Sequence, residues 1–248
     1  KIKYFFFNKD ISLGRNFKNF QSINIKYDGY NHPKILNKTL NAELDVLRGK
    51  GKYSQDGITF KNFNYNFRII SFLFYGLKYF KNLNIVDYGG GFGNTFKEVS
   101  SIEFLEKKIF SWNIVEQKNF VKFGKKYFHY KKCKFTSELK FKKKKIHCLL
   151  FSSSLQYLEK PYEILDETLK LKPKLICIDR IALGNKEDFV SLQINPKYIY
   201  DVNYPVWVLN EVKFLKYFKK KGYANILNID TKLRFCGYVY KHYLFEKI

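Results

Sequence analysis

Seven residues constrain this chain more than any others: Asp87-Tyr88-Gly89-Gly90-Gly91-Phe92-Gly93, a glycine-rich turn between the apolar run at 85–86 and a helical pattern at 95–107. Glycine has no Cβ, so a strand that runs into spaced glycines lets backbone approach a ligand closely. The dinucleotide fingerprint Gly-x-Gly-x-x-Gly needs its third glycine where helix packs on strand. Counted from Gly89, that place holds Asn94. The glycines stand instead at 89, 91 and 93, with Asp87 two positions before the first.

The rest of the chain repeats a strand–turn–helix rhythm. Apolar runs at 85–88, 111–116, 132–135, 146–151 and 174–179 predict strands, and the spacing at 95–107, 118–127, 162–170 and 211–220 predicts helices. Strands alternating with such helices imply a parallel sheet covered on both faces. Two closing strands at 224–229 and 237–246 have no helix between them, so the last is expected to insert antiparallel. Residues 1–80 carry helical spacing at 38–47 and 67–80 and are expected to form a largely helical cover, with residues 81–248 as the ligand-binding domain.

The loop and this order of elements together resemble the Rossmann-like class I methyltransferases, whose pattern is Asp-x-Gly-x-Gly-x-Gly. The expected fold is therefore α/β: a mostly parallel seven-stranded sheet with helices on both faces and an N-terminal helical cover. The expected cofactor is S-adenosylmethionine (SAM), and the chain is expected to be an enzyme. Asp87 suits the ammonium and sulfonium of SAM. Gly89, Gly90, Gly91 and Gly93 would admit it, and Glu116, closing the second strand, would accept its ribose hydroxyls.

A narrower resemblance runs from about Tyr27 to the C-terminus. The loop at 87–91, Val115-Glu116-Gln117, Leu155-Gln156-Tyr157-Leu158, Ile178-Asp179-Arg180, Gln193 and Tyr204-Pro205-Val206-Trp207 are similar to methyltransferases of bacterial surface-polysaccharide and capsule gene clusters. That likeness implies an acceptor from carbohydrate chemistry. Where those relatives have an aromatic-Glu-Arg-Asp segment, this chain reads Tyr53-Ser54-Gln55-Asp56, so one charged contact is lost or replaced.

In open α/β sheets, ligands bind outside the carboxyl ends of the strands where strand order reverses. That rule gathers Gln117, Phe135, Thr136, Ser153 and Leu155 with the loop as cofactor-binding candidates. Phe135 could either stack on adenine or fill the core. Tyr53, Asp56, Gln156, Gln193, Tyr204 and Trp207 are candidates for the acceptor. Residues 181–210 are read either as an aromatic wall facing the substrate or as a packed crossover. Asp179, Arg180 and Tyr157 are the catalytic candidates: Arg180 to bind an anionic oxygen, Asp179 to hold Arg180 or the cofactor. His147 reads as structural, and no histidine is placed to act as a base.

Composition sets the limits. A chain of 248 residues, 46% hydrophobic, can bury a large core without staples. Its longest apolar run, 69–77, is far short of the ~20 residues a membrane span needs. Cys133, Cys148, Cys177 and Cys236 show no metal-ligand spacing and read as reduced thiols of a cytoplasmic protein, with no metal expected. The net charge of +24 is almost all lysine, with arginine only at 15, 48, 68, 180 and 234. Nucleic-acid recognition favours arginine, so compositional drift is the preferred reading and an RNA methyltransferase the alternative. A non-catalytic binding protein is the third reading, against which the intact loop argues. The sequence leaves the oligomeric state open.

Overall fold

A computed structural model describes residues 16–24, 26–141, 145–195, 197–235 and 238–248. The chain opens with α1 (Pro33–Leu47), a hairpin of β1 (Tyr53–Gln55) and β2 (Ile58–Phe60), and α2 (Phe67–Gly76). Then follow β3 (Leu83–Tyr88), α3 (Asn94–Ser100), α4 (Glu103–Lys108), β4 (Ile109–Val115), α5 (Lys118–Tyr127), β5 (Cys133–Thr136), β6 (Cys148–Ser152) and α6 (Pro161–Leu169). The C-terminal part adds β7 (Leu175–Gly184), β8 (Phe189–Ile194), β9 (Asn203–Asn210), α7 (Glu211–Lys220), β10 (Tyr223–Phe235) and β11 (Tyr238–Lys247).

The strand order is β5-β4-β3-β6-β7-β11-β10, with β11 antiparallel to both neighbours and the other pairs parallel. Order reverses between β3 and β6, which is where such sheets bind ligands. The expected antiparallel insertion of the last strand is therefore present. β3, β4, β6 and β7 are buried almost throughout, as strands covered on both faces must be. The larger apolar cluster runs from Ile69, Phe72 and Leu73 of α2 into Leu83 and Ile85 of β3, so the core is continuous across residue 80.

Four expectations change. The sheet has nine strands, not seven: residues 181–210 extend β7 and then form the β8–β9 hairpin, with β9 pairing β7 at Leu183↔Leu209 and Gly184↔Asn210. Pro205 argues against a strand, but β9 meets β7 only beyond it, so its proline breaks no ladder on that side. The helix expected over 95–107 is two helices, because Ile102 is extended (φ −93°, ψ 102°) and restarts the chain at Glu103. α1 begins at Pro33 rather than Lys38: His32 caps it through Nδ1, and proline at the first helical position is pre-set for the turn. Finally, the cover expected to be largely helical contains a hairpin, β1 and β2, between its helices. Asp56 (φ 51°) and Gly57 (φ 73°) form the left-handed pair that a two-residue hairpin requires.

Candidate functional site

β3 delivers Asp87 into the turn, where the side chain is almost fully buried. Its Oδ2 accepts the Trp112 indole N–H at 3.1 Å, and Oδ1 is buried with no partner among the described residues. A Cβ on Gly90 would lie 2.5 Å from that carboxylate, and one on Gly89 would lie 2.4 Å from the Ser154 Cβ. Those two glycines are therefore needed for the loop to fold over Asp87. Gly91 is different: at φ +57° its missing Cβ would meet nothing within 4 Å, although the residue lines a cleft. The loop holds open space there.

Glu116, at the end of β4, reaches the same loop. Its Oε2 accepts the Gln117 N–H at 2.7 Å, and its Oε1 accepts the Gly91 N–H at 3.3 Å. Burial pushes the carboxyls of Asp87 and Glu116 up to about 7, only partly opposed by the indole and backbone donors. Two carboxyls strained in this way favour a cationic or hydroxyl-donating ligand.

The cleft measures about 240 Å³ and runs from this loop to Arg180, Asp56 and a group of tyrosines. Asp56, Ser153 and Arg180, three of the five described non-glycine residues with positive φ, line it. Backbone held in a sparsely populated region clusters at functional sites. Arg180 is anchored from behind. One nitrogen donates to Ser152 Oγ at 3.0 Å, and Nε lies 3.3 Å from Asp179 Oδ2. Asp179 itself does not line the cleft. It accepts Arg68 Nε at 2.8 Å and Asn66 Nδ2 at 2.7 Å, and lies 3.1 Å from His242 Nδ1. Burial would raise its carboxyl, but His242, Arg180 and Arg68 together hold it well below the usual carboxylate range. A carboxylate so committed orients Arg180 and takes no proton.

Across from Arg180 stands a belt of tyrosines. Tyr30 stacks on Tyr157 at 5.1 Å, and Tyr204 meets both edge-on at 5.0 and 5.3 Å. Tyr157 donates to Gln193 Oε1 at 3.1 Å, and Gln193 donates to Asn195 Oδ1 at 3.1 Å. Burial pushes the Tyr157 hydroxyl up to about 12 and raises Tyr30, Tyr200 and Tyr204 well above the ordinary phenol range, so all four remain neutral donors. Asp56 is exposed at the hairpin tip, yet its carboxyl turns inward to accept Tyr200 Oη at 3.4 Å. Its pKa is raised by desolvation and pulled back by Arg180. Among the described residues lining the cleft there is no histidine, and Asp56 is the one carboxylate away from the glycine loop.

No protein-family model matches the sequence, and no curated protein matches it. Solved structures do match. A SAM-dependent methyltransferase from Clostridium acetobutylicum ATCC 824 aligns over 85% of this chain and 98% of its own, at TM-score 0.52 and 13% identity. The CcbJ methyltransferase from Streptomyces caelestis aligns over 82% and 95%, at TM-score 0.52 and 10% identity. Magnesium protoporphyrin IX methyltransferase from Synechocystis PCC 6803 aligns over 86% and 97%, at TM-score 0.50 and 11% identity. This is the fold of the class I methyltransferases. At such identities the likeness carries the fold.

On that class I frame, the structure brings Tyr53, Asp56, Asp87, Gly89, Gly90, Gly91, Glu116, Ser153, Tyr157, Arg180, Gln193 and Tyr204 to one cleft. It places other candidates elsewhere. Gly93, in the left-handed region, caps α3. Gln117 is exposed, and Thr136 Oγ1 bonds the Glu138 backbone. Phe135 fills the core beneath Gly124, and Leu155 is core as well. Gln156 is buried and donates to the Arg180 carbonyl at 3.1 Å, so it supports the positive-φ backbone of β7 at Arg180. Trp207 donates to Glu159 O at 3.3 Å beside Phe20. Cys133, Cys148 and Cys177 are buried free thiols, and Cys236 lies outside the described residues.

Sequence reasoning missed Tyr30, Asn195, Arg68, Trp112 and His242. His242 was findable as a polar residue at an inward position of the alternating last strand. Tyr30 carried no local signal in so aromatic a chain.

Proposed function

We propose that this protein is a SAM-dependent methyltransferase acting on an oxygen of a small, acidic, carbohydrate-linked acceptor. The observation that carries the cofactor assignment is the pair of desolvated carboxyls, buried Asp87 and half-buried Glu116, both pushed up to about 7, beside a Gly91 that holds open space. The unpartnered Asp87 Oδ1 fits the cationic amino acid end of SAM, and Glu116 fits its ribose. When bound, SAM supplies an electrophilic methyl group; the rest of the chemistry belongs to the chain's own residues.

Methyl transfer is an in-line displacement, so orientation matters most. Arg180, fixed by Asp179 and Ser152, binds the anionic group of the acceptor. The tyrosine belt presents ring faces and neutral donors to a sugar. Asp56 takes the proton from the hydroxyl being methylated, since the tyrosines are held protonated and the loop carboxylates are engaged with the cofactor. The resemblance to surface-polysaccharide methyltransferases supports a capsule or O-antigen precursor, made in the cytoplasm. A phosphoryl or phosphoramidate oxygen is the second reading, because Arg180 serves it equally and it needs no base. The RNA reading retains only the charge of +24 for support.

The test is mass spectrometry of reactions containing SAM and a panel of acidic and neutral sugar nucleotides. Transfer of one methyl group to an acidic member is expected. Calorimetric binding of NAD but not SAM would overturn the cofactor assignment.

A further inference from the structure

Helix α2 is apolar on nearly every side. Ile69, Ile70, Phe72 and Leu73 face the core, and its one charge, Arg68, turns inward to Asp179. Phe67 and Phe74, seven residues apart and so on one helical face, point the other way, 71% and 45% exposed. Phe104 of α4, 50% exposed, lies flat against Phe74 with centroids 5.6 Å apart and planes 7° off parallel. Tyr65, with its ring 6.2 Å from Phe67, extends the patch. Two pairs of exposed rings, Tyr65 with Phe67 and Phe74 with Phe104, on the outward side of a helix whose one charge turns inward, mark a place of contact.

The rim is basic. Lys108 Nζ sits 5.6 Å from the Phe104 ring centre, and Lys78, just beyond α2, sits over the Tyr75 and Tyr79 rings at 5.4 and 5.2 Å, on a chain of net charge +24. The exposed acid there, Glu103, is neutralised by Lys107. We propose that this face lies on an anionic membrane surface, with the aromatic rings entering the headgroup boundary and the lysines pairing with lipid phosphates. Exposed rings with a lysine such as Lys108 beside them suit a water–lipid boundary, where the lysine stem packs on the ring and its charged end stays wet. No helix among the described residues is long and apolar enough to cross a membrane, so the contact is peripheral. The face is also joined to the cleft: rings follow one another from Phe67 to Tyr65, Phe63 and Tyr53 at 6.2, 5.6 and 6.0 Å, and Tyr53 lines the cleft wall. An acceptor held at a membrane would thus meet the site at its rim.

The experiment is co-sedimentation with vesicles of phosphatidylcholine alone and of equal phosphatidylcholine and phosphatidylglycerol. The intact protein should sediment with the anionic vesicles and only weakly with the neutral ones. A Phe67→Ser/Phe74→Ser variant should bind the anionic vesicles roughly tenfold or more weakly, with SAM affinity unchanged. Retained binding in that variant would reduce the effect to lysine attraction and overturn the proposal. So would absence of vesicle binding, or a dimer by light scattering that the double substitution dissociates. None of these readouts requires methyl transfer, so the proposal fails or stands apart from the proposed activity.

Discussion

Asp87 accepts the Trp112 indole N–H on one carboxylate oxygen at 3.1 Å and keeps the other buried without a partner among the described residues. The arrangement makes the empty loop electrostatically uncomfortable. Burial pushes both Asp87 and Glu116 up from 3.8 and 4.5 to about 7. The unfolded chain loses these protons first, so the folded protein binds more protons between about pH 4 and 7. Stability of the free protein should therefore fall as pH rises through that window. SAM affinity should rise over the same approach to pH 8, as the carboxylates ionise. Thermal melts and calorimetry at pH 6 and 8 check both signs. In Asp87→Asn, SAM binding should weaken at least roughly tenfold, while stability at pH 8 holds or improves.

Two adjacent glycines of the turn, Gly90 and Gly91, should separate by substitution. Gly90→Ala forces a Cβ to 2.5 Å from Asp87 Oδ2 and should lower the melting temperature. Gly91→Ala meets open space, so its cost is the positive φ, about 1 kcal/mol. It should fold yet lose SAM binding, because the new methyl occupies the cleft. Equal loss of stability in both variants would contradict the assignment of that space.

Arg180→Lys keeps the charge but loses the planar fork that Ser152 and Asp179 hold. Acceptor turnover should collapse while SAM still binds with wild-type affinity. Full turnover in this variant would remove Arg180 from the acceptor site.

Asp56→Asn should cut kcat by roughly 10²–10⁴ if a hydroxyl is methylated, with SAM affinity intact. The acidic limb of the kcat profile should disappear with it. An unchanged rate would favour an oxygen that is already anionic.

Asp179 carries a heavier structural load. Removing its carboxylate in Asp179→Ala leaves Arg68 and Arg180 buried or half-buried without their counter-ion. The expected loss is about 3–5 kcal/mol, measured by denaturant unfolding. Because the pKa of Asp179 is depressed, its contribution is present above the ordinary carboxylate range and fades as pH falls below it.

Much of the nucleotide half was legible because it is local. The acid, the glycines and Glu116 lie within one strand–turn–helix–strand unit, and the spacing of the glycines alone rules out the dinucleotide pattern. The acceptor half was less legible because tertiary pairing builds it. Tyr30 reaches Tyr157 and Tyr204 only after α1 folds over the β8–β9 hairpin. That hairpin was hidden by Pro205 within a strand and by an aromatic content that reads equally as loop or core. Asp56-Gly57 did announce a two-residue turn. Read as part of a helical cover, it lost its meaning, although Asp56 itself had been picked out.

The hydrogen bond from β11 to the middle of the sheet has a consequence for synthesis. Asp179 meets Arg68 from earlier in the chain, but His242 follows it by 63 residues. At ribosomal rates of about 5–20 residues per second, that is a delay of roughly 3–13 s. Throughout it, the β7 edge that β11 will cover stands open, with ladder groups unpaired beside an apolar core. A nascent chain stalled in that interval presents a sticky template to its neighbours on the same message. Chains cut short before His242 should therefore be found in inclusion bodies and bound to chaperones.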